Sequence, residues 1–356
     1  MNLDDVKQIN KIDPGRVAES IRLLPEQLED ALAQAEAIKI PADYRKIDRV
    51  VINGMGGSNL GAHLLLSVFK EELKIPLMIE PGYQVPGYVD KNTLYVISSY
   101  SGNTEEPLSV YREVKKRGAK IFCLTAAGER NKLAELMRRE KISGLVFTAE
   151  LNPSRQPRLA VGYSLICLLA LLEKLGVISV QKKIDQIISV LGKNNGHLIP
   201  AIAVKKNPAK NLAAKIFGRE VVLVGAEFLE GGLHILRNQF CETGKNFADY
   251  LVLPDLNHYA LEGLSYPRQN KKNLFFIFFS SGLYRGRIKK RLRLTEEIVA
   301  KNGLPLVIVN LKGKTRLAAA AELLQFGSWV TFYLAMLNGV NPSAIAWVDW
   351  FKKRLA

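Results

Sequence analysis

The sequence predicts two α/β domains, each a doubly wound, mostly parallel five-stranded sheet flanked by helices. Short apolar runs alternate with amphipathic stretches through both halves of the chain. Loops rich in glycine or serine follow two of those runs directly, and 356 residues exceed what one compact core needs. Strand–loop–helix alternation at this spacing belongs to open parallel sheets covered on both faces. The domains are expected at residues 1–178 and 179–356.

A polar, helical opening segment precedes the first strand, Arg49 to Ile52, which leads into Gly54-Met55-Gly56-Gly57-Ser58-Asn59 and a helix from Leu60 to Phe69. Leu77 to Glu80 and Leu94 to Ser98 are further strands, the latter entering Ser99-Tyr100-Ser101-Gly102-Asn103-Thr104 and a helix from Glu105 to about Arg117. Lys120 to Leu124 and Leu145 to Phe147 complete five strands, and a long apolar helix, Leu159 to Leu175, closes the half. Gly176 to about Asn211 reads as helical but polar, and contains the domain junction. The alternation then resumes. Strands are expected at Glu220 to Val224, Tyr250 to Leu253, Leu274 to Phe279 and Leu304 to Val309, with helices at Gly231 to Phe247 and Arg287 to Lys301. Two helices, Arg316 to Leu337 and Ser343 to Leu355, end the chain. In such sheets the functional crevice opens at the carboxyl ends of the strands, where the strand order reverses.

Composition is that of a globular protein, 48% hydrophobic and 24% charged. Fifty basic residues against thirty-four acidic ones give a net charge of +16. Runs such as Lys115-Lys116-Arg117, Arg138-Arg139, Lys182-Lys183 and Lys289-Lys290-Arg291 read as solvated helix faces, and no nucleic-acid motif accompanies them. No nucleic-acid partner is expected. Three cysteines, Cys123, Cys167 and Cys241, argue against a disulfide framework. No signal-peptide pattern opens the sequence and no apolar run is long enough for a bilayer, so a cytoplasmic location is expected.

The two loops have the composition of an anion cradle. Glycines permit close backbone approach, the following helix starts offer amide donors, and hydroxyls at short spacing add more. Gly57, Ser58, Ser99, Ser101 and Thr104 are the candidate phosphate ligands, with no metal or cofactor required. The bland alternatives are a turn and an N-cap. The first loop lacks the Gly-Lys-[Ser/Thr] element of a Walker loop, and Asn59 stands where a dinucleotide loop has its third glycine.

SYSGNTEE after a strand resembles the SIS (sugar isomerase) domain signature. Paired with GMGGS, it is similar to the bifunctional phosphoglucose/phosphomannose isomerase family in particular. Gly82-Tyr83 with Pro86, and Pro157-Arg158 with Gly162-Tyr163, fit that family too. The resemblance runs with gaps from about Val50 to the C-terminus. It implies two SIS domains and reversible conversion of glucose 6-phosphate, with mannose 6-phosphate as a further substrate, to fructose 6-phosphate through a cis-enediol.

That chemistry needs a base able to carry a proton between C2 and C1, a group that opens the sugar ring, and a cation facing the enediolate. Without the resemblance, Glu242 would be a surface helix residue and His258 a loop cap. The family's helix has Gln, Glu and Lys at three-residue intervals, matched by Gln239, Glu242 and Lys245; its P-E-x-N-H element is similar to Pro254-Asp255-Leu256-Asn257-His258. The resemblance thus implies Glu242 as the base and His258 as the ring-opening group, supplied across the interface of a homodimer. It further implies Arg158 as the enediolate cation and Lys352 as a lysine directed into the site. Ser343 is a loosely aligned candidate for the small residue linked to tolerance of both C2 epimers.

The sequence departs from the family beside these residues: Ile235 replaces an arginine, Cys241 an asparagine, Tyr259 another asparagine, and the first loop reads Gly-Ser-Asn where a second glycine is common. Two other readings stay open. A phosphosugar-sensing SIS protein would keep the serine loops without needing Glu242 or His258. An isomerase of another sugar or aminosugar phosphate would use the same domain pair, though no glutaminase domain is present. A nucleic-acid binder would rest on charge alone.

Overall fold

The computed structural model describes residues 1–180 and 184–355; the Lys182-Lys183 run lies outside them. The first sheet contains β1 (Arg49–Asn53), β2 (Leu77–Ile79), β3 (Thr93–Ser98), β4 (Lys120–Ala126) and β5 (Ser143–Phe147). Their order is β2-β1-β3-β4-β5, all parallel, with Val51 opposite Met78 on one side and Tyr95 on the other. β3 is buried at every position, as a continuous apolar run in a covered parallel sheet should be.

Helix α3 (Leu24–Ala35), α4 (Leu60–Phe69) and α8 (Val161–Lys174) pack together in this unit. α8 is buried for most of its length because apolar residues surround it, and a methyl added to Gly61 would fall 2.5 Å from Ser164 Oγ. The stretch expected as one helix from Glu105 is two, α5 (Glu105–Ser109) and α6 (Tyr111–Lys116). α7 (Lys132–Glu140) is capped by Asn131, whose Oδ1 accepts from the Ala134 amide at 2.8 Å.

The second sheet has four strands where five were expected: β6 (Glu220–Ala226), β7 (Ala248–Leu253), β8 (Leu274–Ser281) and β9 (Leu306–Leu311). Their order, β7-β6-β8-β9, reproduces the first four positions of the first sheet, again all parallel. After β9 the chain enters α14 (Arg316–Leu337), with no apolar run left to form a fifth strand. α14 is apolar on all sides and packs against α10 (Pro208–Ile216) and α11 (Glu230–Glu242). Its crossing with α11 is so close that a methyl on Gly327 would overlap the Leu236 side chain. The remaining helices of this half are α9 (Ile184–Leu198), α12 (Asn270–Asn273), α13 (Gly286–Lys301) and α15 (Ala346–Leu355).

Contacts divide the chain into Leu23–Ser189 and a second unit made of Met1–Arg22 with Val190–Ala356. α1 (Val6–Ile12) and α2 (Val17–Arg22) join the later half through specific bonds. The buried Lys210 Nζ donates to Asp4 Oδ1 at 3.2 Å, the Val204 amide to the same oxygen at 2.8 Å, and Asn195 Nδ2 to the Arg22 carbonyl at 2.8 Å. Among the described residues no helix is long and apolar enough to cross a membrane.

Candidate active site

The two expected anion loops follow β1 and β3, the strands between which the order of the first sheet reverses. After β1 the chain turns through a 3-10 segment, Gly56–Asn59, before α4, with Gly56 at φ 48°. Asn59 Nδ2 donates to the Gly54 carbonyl and folds the loop back on itself. That bond explains an asparagine where a dinucleotide loop has glycine.

The hydroxyls of both loops are held in a common pattern. Ser58 Oγ accepts from the Tyr100 amide at 2.8 Å, Ser101 Oγ from the Asn103 amide at 3.2 Å, and Thr104 Oγ1 from the Ser99 hydroxyl at 2.9 Å. Each of those three oxygens thus receives a hydrogen from the protein, which leaves its own proton available for a further acceptor. Ser99, fully buried, spends its proton on Thr104. Ser98 Oγ donates to the Ser58 carbonyl at 3.0 Å and joins the loops. Gly102, at φ 69°, lies so close to Asn131 that any Cβ would overlap its side chain. Asn131 was not singled out in the sequence; its position as an N-cap before an amphipathic helix was the available signal.

Arg158 sits in the 3-10 turn Pro157–Leu159 and is 1% exposed. Both loops reach this turn. A methyl on Gly57 would fall 2.5 Å from Pro157 Cβ and 2.8 Å from the Arg158 nitrogen. From the other loop, Tyr100 OH accepts from Asn152 Nδ2 at 3.1 Å, and that amide also donates to the Gln156 carbonyl at 3.0 Å. Gln156 Oε1 in turn accepts from Arg158 Nη1 at 2.8 Å. Within the Leu23–Ser189 unit, then, the hydroxyl loops and the arginine form one bonded assembly. Gly57→Ala should prise the first loop from the arginine turn and destabilise this unit by ~1–3 kcal/mol. A thermal melt unchanged from wild type would show that the contact is slack.

In the other unit, Glu242 is the last residue of α11 and is half-buried. The chain then turns back to β7, with Asn246 Nδ2 donating to the Arg219 carbonyl at 3.0 Å, just before β6. Glu242 therefore lies toward the amino ends of β6 and β7. Lys245 Nζ donates to the Glu242 carbonyl and, at 3.5 Å, to that of Pro342.

His258 lies beyond the opposite end of β7, exposed, in the 3-10 turn Asp255–His258. Asn257 anchors that turn to α13: its Nδ2 donates to Thr295 Oγ1 at 2.8 Å and its Oδ1 accepts from Arg291 Nη1 at 3.0 Å. A six-residue strand separates the two positions, about 20 Å at 3.3 Å per residue. One chain does not bring its own Glu242 and His258 together. Lys352 lies on α15, which has no buried residue and exposes Trp347 (84%), Trp350 and Phe351 (58%). Among the described residues no cluster of three or more histidine, cysteine, aspartate or glutamate side chains is placed to hold a metal ion.

Residues 43–137 match the SIS domain family, and residues 205–355 match the bacterial phospho-glucose isomerase C-terminal SIS domain family. A bifunctional phosphoglucose/phosphomannose isomerase of Caldicellulosiruptor bescii is 32% identical, over 95% of this chain and 98% of that protein. One of the same description from Thermoplasma volcanium is 27% identical, over 92% and 99%. Among solved structures, a hypothetical protein of Thermus thermophilus superposes with a TM-score of 0.73 at 18% identity, covering 96% of this chain and 91% of that one. A glucose-6-phosphate isomerase like protein of the same organism gives 0.63 at 17%, covering 98% and 99%. At these identities the structural likeness speaks for the fold.

Proposed function

The chain belongs to the bifunctional phosphoglucose/phosphomannose isomerase family, and on that premise we propose that it interconverts glucose 6-phosphate and mannose 6-phosphate with fructose 6-phosphate through a cis-enediol. The observation that carries this reading is the set of three hydroxyls on adjacent loops at the switch point, each accepting a hydrogen bond from the protein, bonded through the loops to a buried arginine.

The phosphate is the natural occupant of the loops. Ser58, Ser101 and Thr104 each donate one hydrogen bond to it, and the amides at the start of the 3-10 turn before α4 add their dipoles. Gly57 lets the phosphate approach the backbone. Ser99 acts at one remove by orienting the Thr104 hydroxyl. Glu242, a carboxylate, removes the proton from C2 of the open-chain sugar and returns it to C1, and the reverse reaction uses the same group as acid. Arg158 supplies the fixed positive charge that steadies the oxyanion developing on the enediol. His258 exchanges a proton with the ring oxygen and opens the pyranose. Because its turn and Glu242 lie at opposite ends of β7, the histidine that serves a given Glu242 comes from the second copy of a homodimer. Lys352 adds a cation near the sugar from α15.

Hydrogen bonds to a charged group are worth about 1.5–3 kcal/mol. Ser101→Ala is therefore expected to raise KM roughly ten- to hundred-fold, with kcat little changed. Ser99→Ala should raise it less, because Thr104 keeps its own proton. Equal effects of the two substitutions in steady-state kinetics would contradict the indirect role of Ser99. The test of the whole reading is fructose 6-phosphate formation from each aldose phosphate by the purified protein. Phosphosugar binding without turnover would select the sensing SIS protein in its place.

A further inference from the structure

Lys245 lies three residues past Glu242, in the turn between α11 and β7, and the mechanism above does not use it. Its backbone adopts φ 53°, a left-handed conformation that favours glycine at a helix end. A side chain kept at such a position invites a functional explanation. Its Nζ donates to the carbonyl of Glu242 and, at 3.5 Å, to that of Pro342. The same turn is tied to the same segment a second time, through Asn338 Nδ2 donating to the Gly244 carbonyl at 3.0 Å. Gly244 can add no side chain to this tie, since a Cβ there would fall 2.9 Å from the Phe240 carbonyl.

The segment so tied leads into Ser343, whose amide donates to Asn341 Oδ1 at 2.9 Å. From its other side Ser343 is met by Gly15, where an added Cβ would lie only 2.5 Å from Ser343 Cβ. The 341–343 turn is thus braced between the helix end that carries Glu242 and the N-terminal turn before α2.

We propose that Lys245 is a positioning residue that fixes the end of α11, and with it Glu242, against the 341–343 turn. This rests on the isomerase reading and deepens it. A carboxylate that must reach both C1 and C2 tolerates little displacement, and a misplacement of about 1 Å can cost two orders of magnitude in rate. The phosphate is held elsewhere, and KM stays nearly constant.

Lys245→Gly separates this role from simple stabilisation, because glycine is at ease in the left-handed turn. The melting temperature should hold or rise while kcat falls roughly ten- to hundred-fold, KM changes less than about two-fold, and amide hydrogen exchange over residues 338–345 accelerates. Lys245→Arg, which restores a donor, should recover part of kcat; Lys245→Met should not. Wild-type kcat for both sugars in Lys245→Gly, or a loss confined to KM, overturns the proposal. If the wild-type protein turns over no hexose phosphate, the isomerase reading fails instead; unaltered exchange over 338–345 then overturns the tie by itself.

Discussion

Glu242→Gln is expected to lower kcat by roughly 10²–10⁴-fold while phosphosugar affinity changes little. The amide has nearly the shape of the carboxylate, so the end of α11 and its bond from Lys245 are kept, but it cannot accept a proton from carbon. Affinity should survive because the hydroxyl loops lie in the Leu23–Ser189 unit, whereas Glu242 belongs to the other. Initial rates set against a direct titration of binding read the two effects separately. A variant that binds and turns over like wild type would remove the base from the mechanism. One that loses binding to the same extent as rate would recast Glu242 as a substrate ligand.

His258→Ala should slow the consumption of cyclic glucose 6-phosphate by roughly 10²-fold, with a smaller effect on substrate already in the open-chain form. The more telling result comes from mixing. If each site takes Glu242 from one copy and His258 from the other, a mixed dimer of Glu242→Gln and His258→Ala chains has one site with both groups intact and one with neither. Random reassortment makes half the dimers mixed, so about one quarter of wild-type activity should return. The expectation rests on topology: β7 stands between the two residues in each chain, and neither terminus of that strand is free to fold back on the other. Mixtures as inactive as their components would require the histidine to act within its own chain.

Much of this arrangement was legible in the residues. The inner strands β1, β3, β4, β6 and β8 are short runs rich in valine, isoleucine, leucine and phenylalanine, and burial on both faces demands that composition. The loops stood out for the same reason they suit an anion: glycine where the backbone must come close, and serine or threonine where donors are wanted. Three features were not legible. The fifth strand of the second sheet was expected because the halves read as two copies of one architecture, yet only four apolar runs of this half form strands before α14. The association of residues 1–22 with the later half depends on single bonds such as Lys210 to Asp4, and an amphipathic helix declares which face it buries without naming its partner. Lys245 was visible only as a motif position, because its left-handed backbone has no residue-type signal; glycine or asparagine would have given one.

Proton transfer through an enediol leaves an isotopic trace that no other route shares. With glucose 6-phosphate and the wild-type protein in deuterium oxide, fructose 6-phosphate should carry deuterium at C1 in a measurable fraction, since the proton held by Glu242 exchanges with solvent before it is returned; both exchange and turnover should vanish together in Glu242→Gln. Full conversion with no deuterium at C1, or incorporation that persists undiminished in Glu242→Gln, would contradict this route.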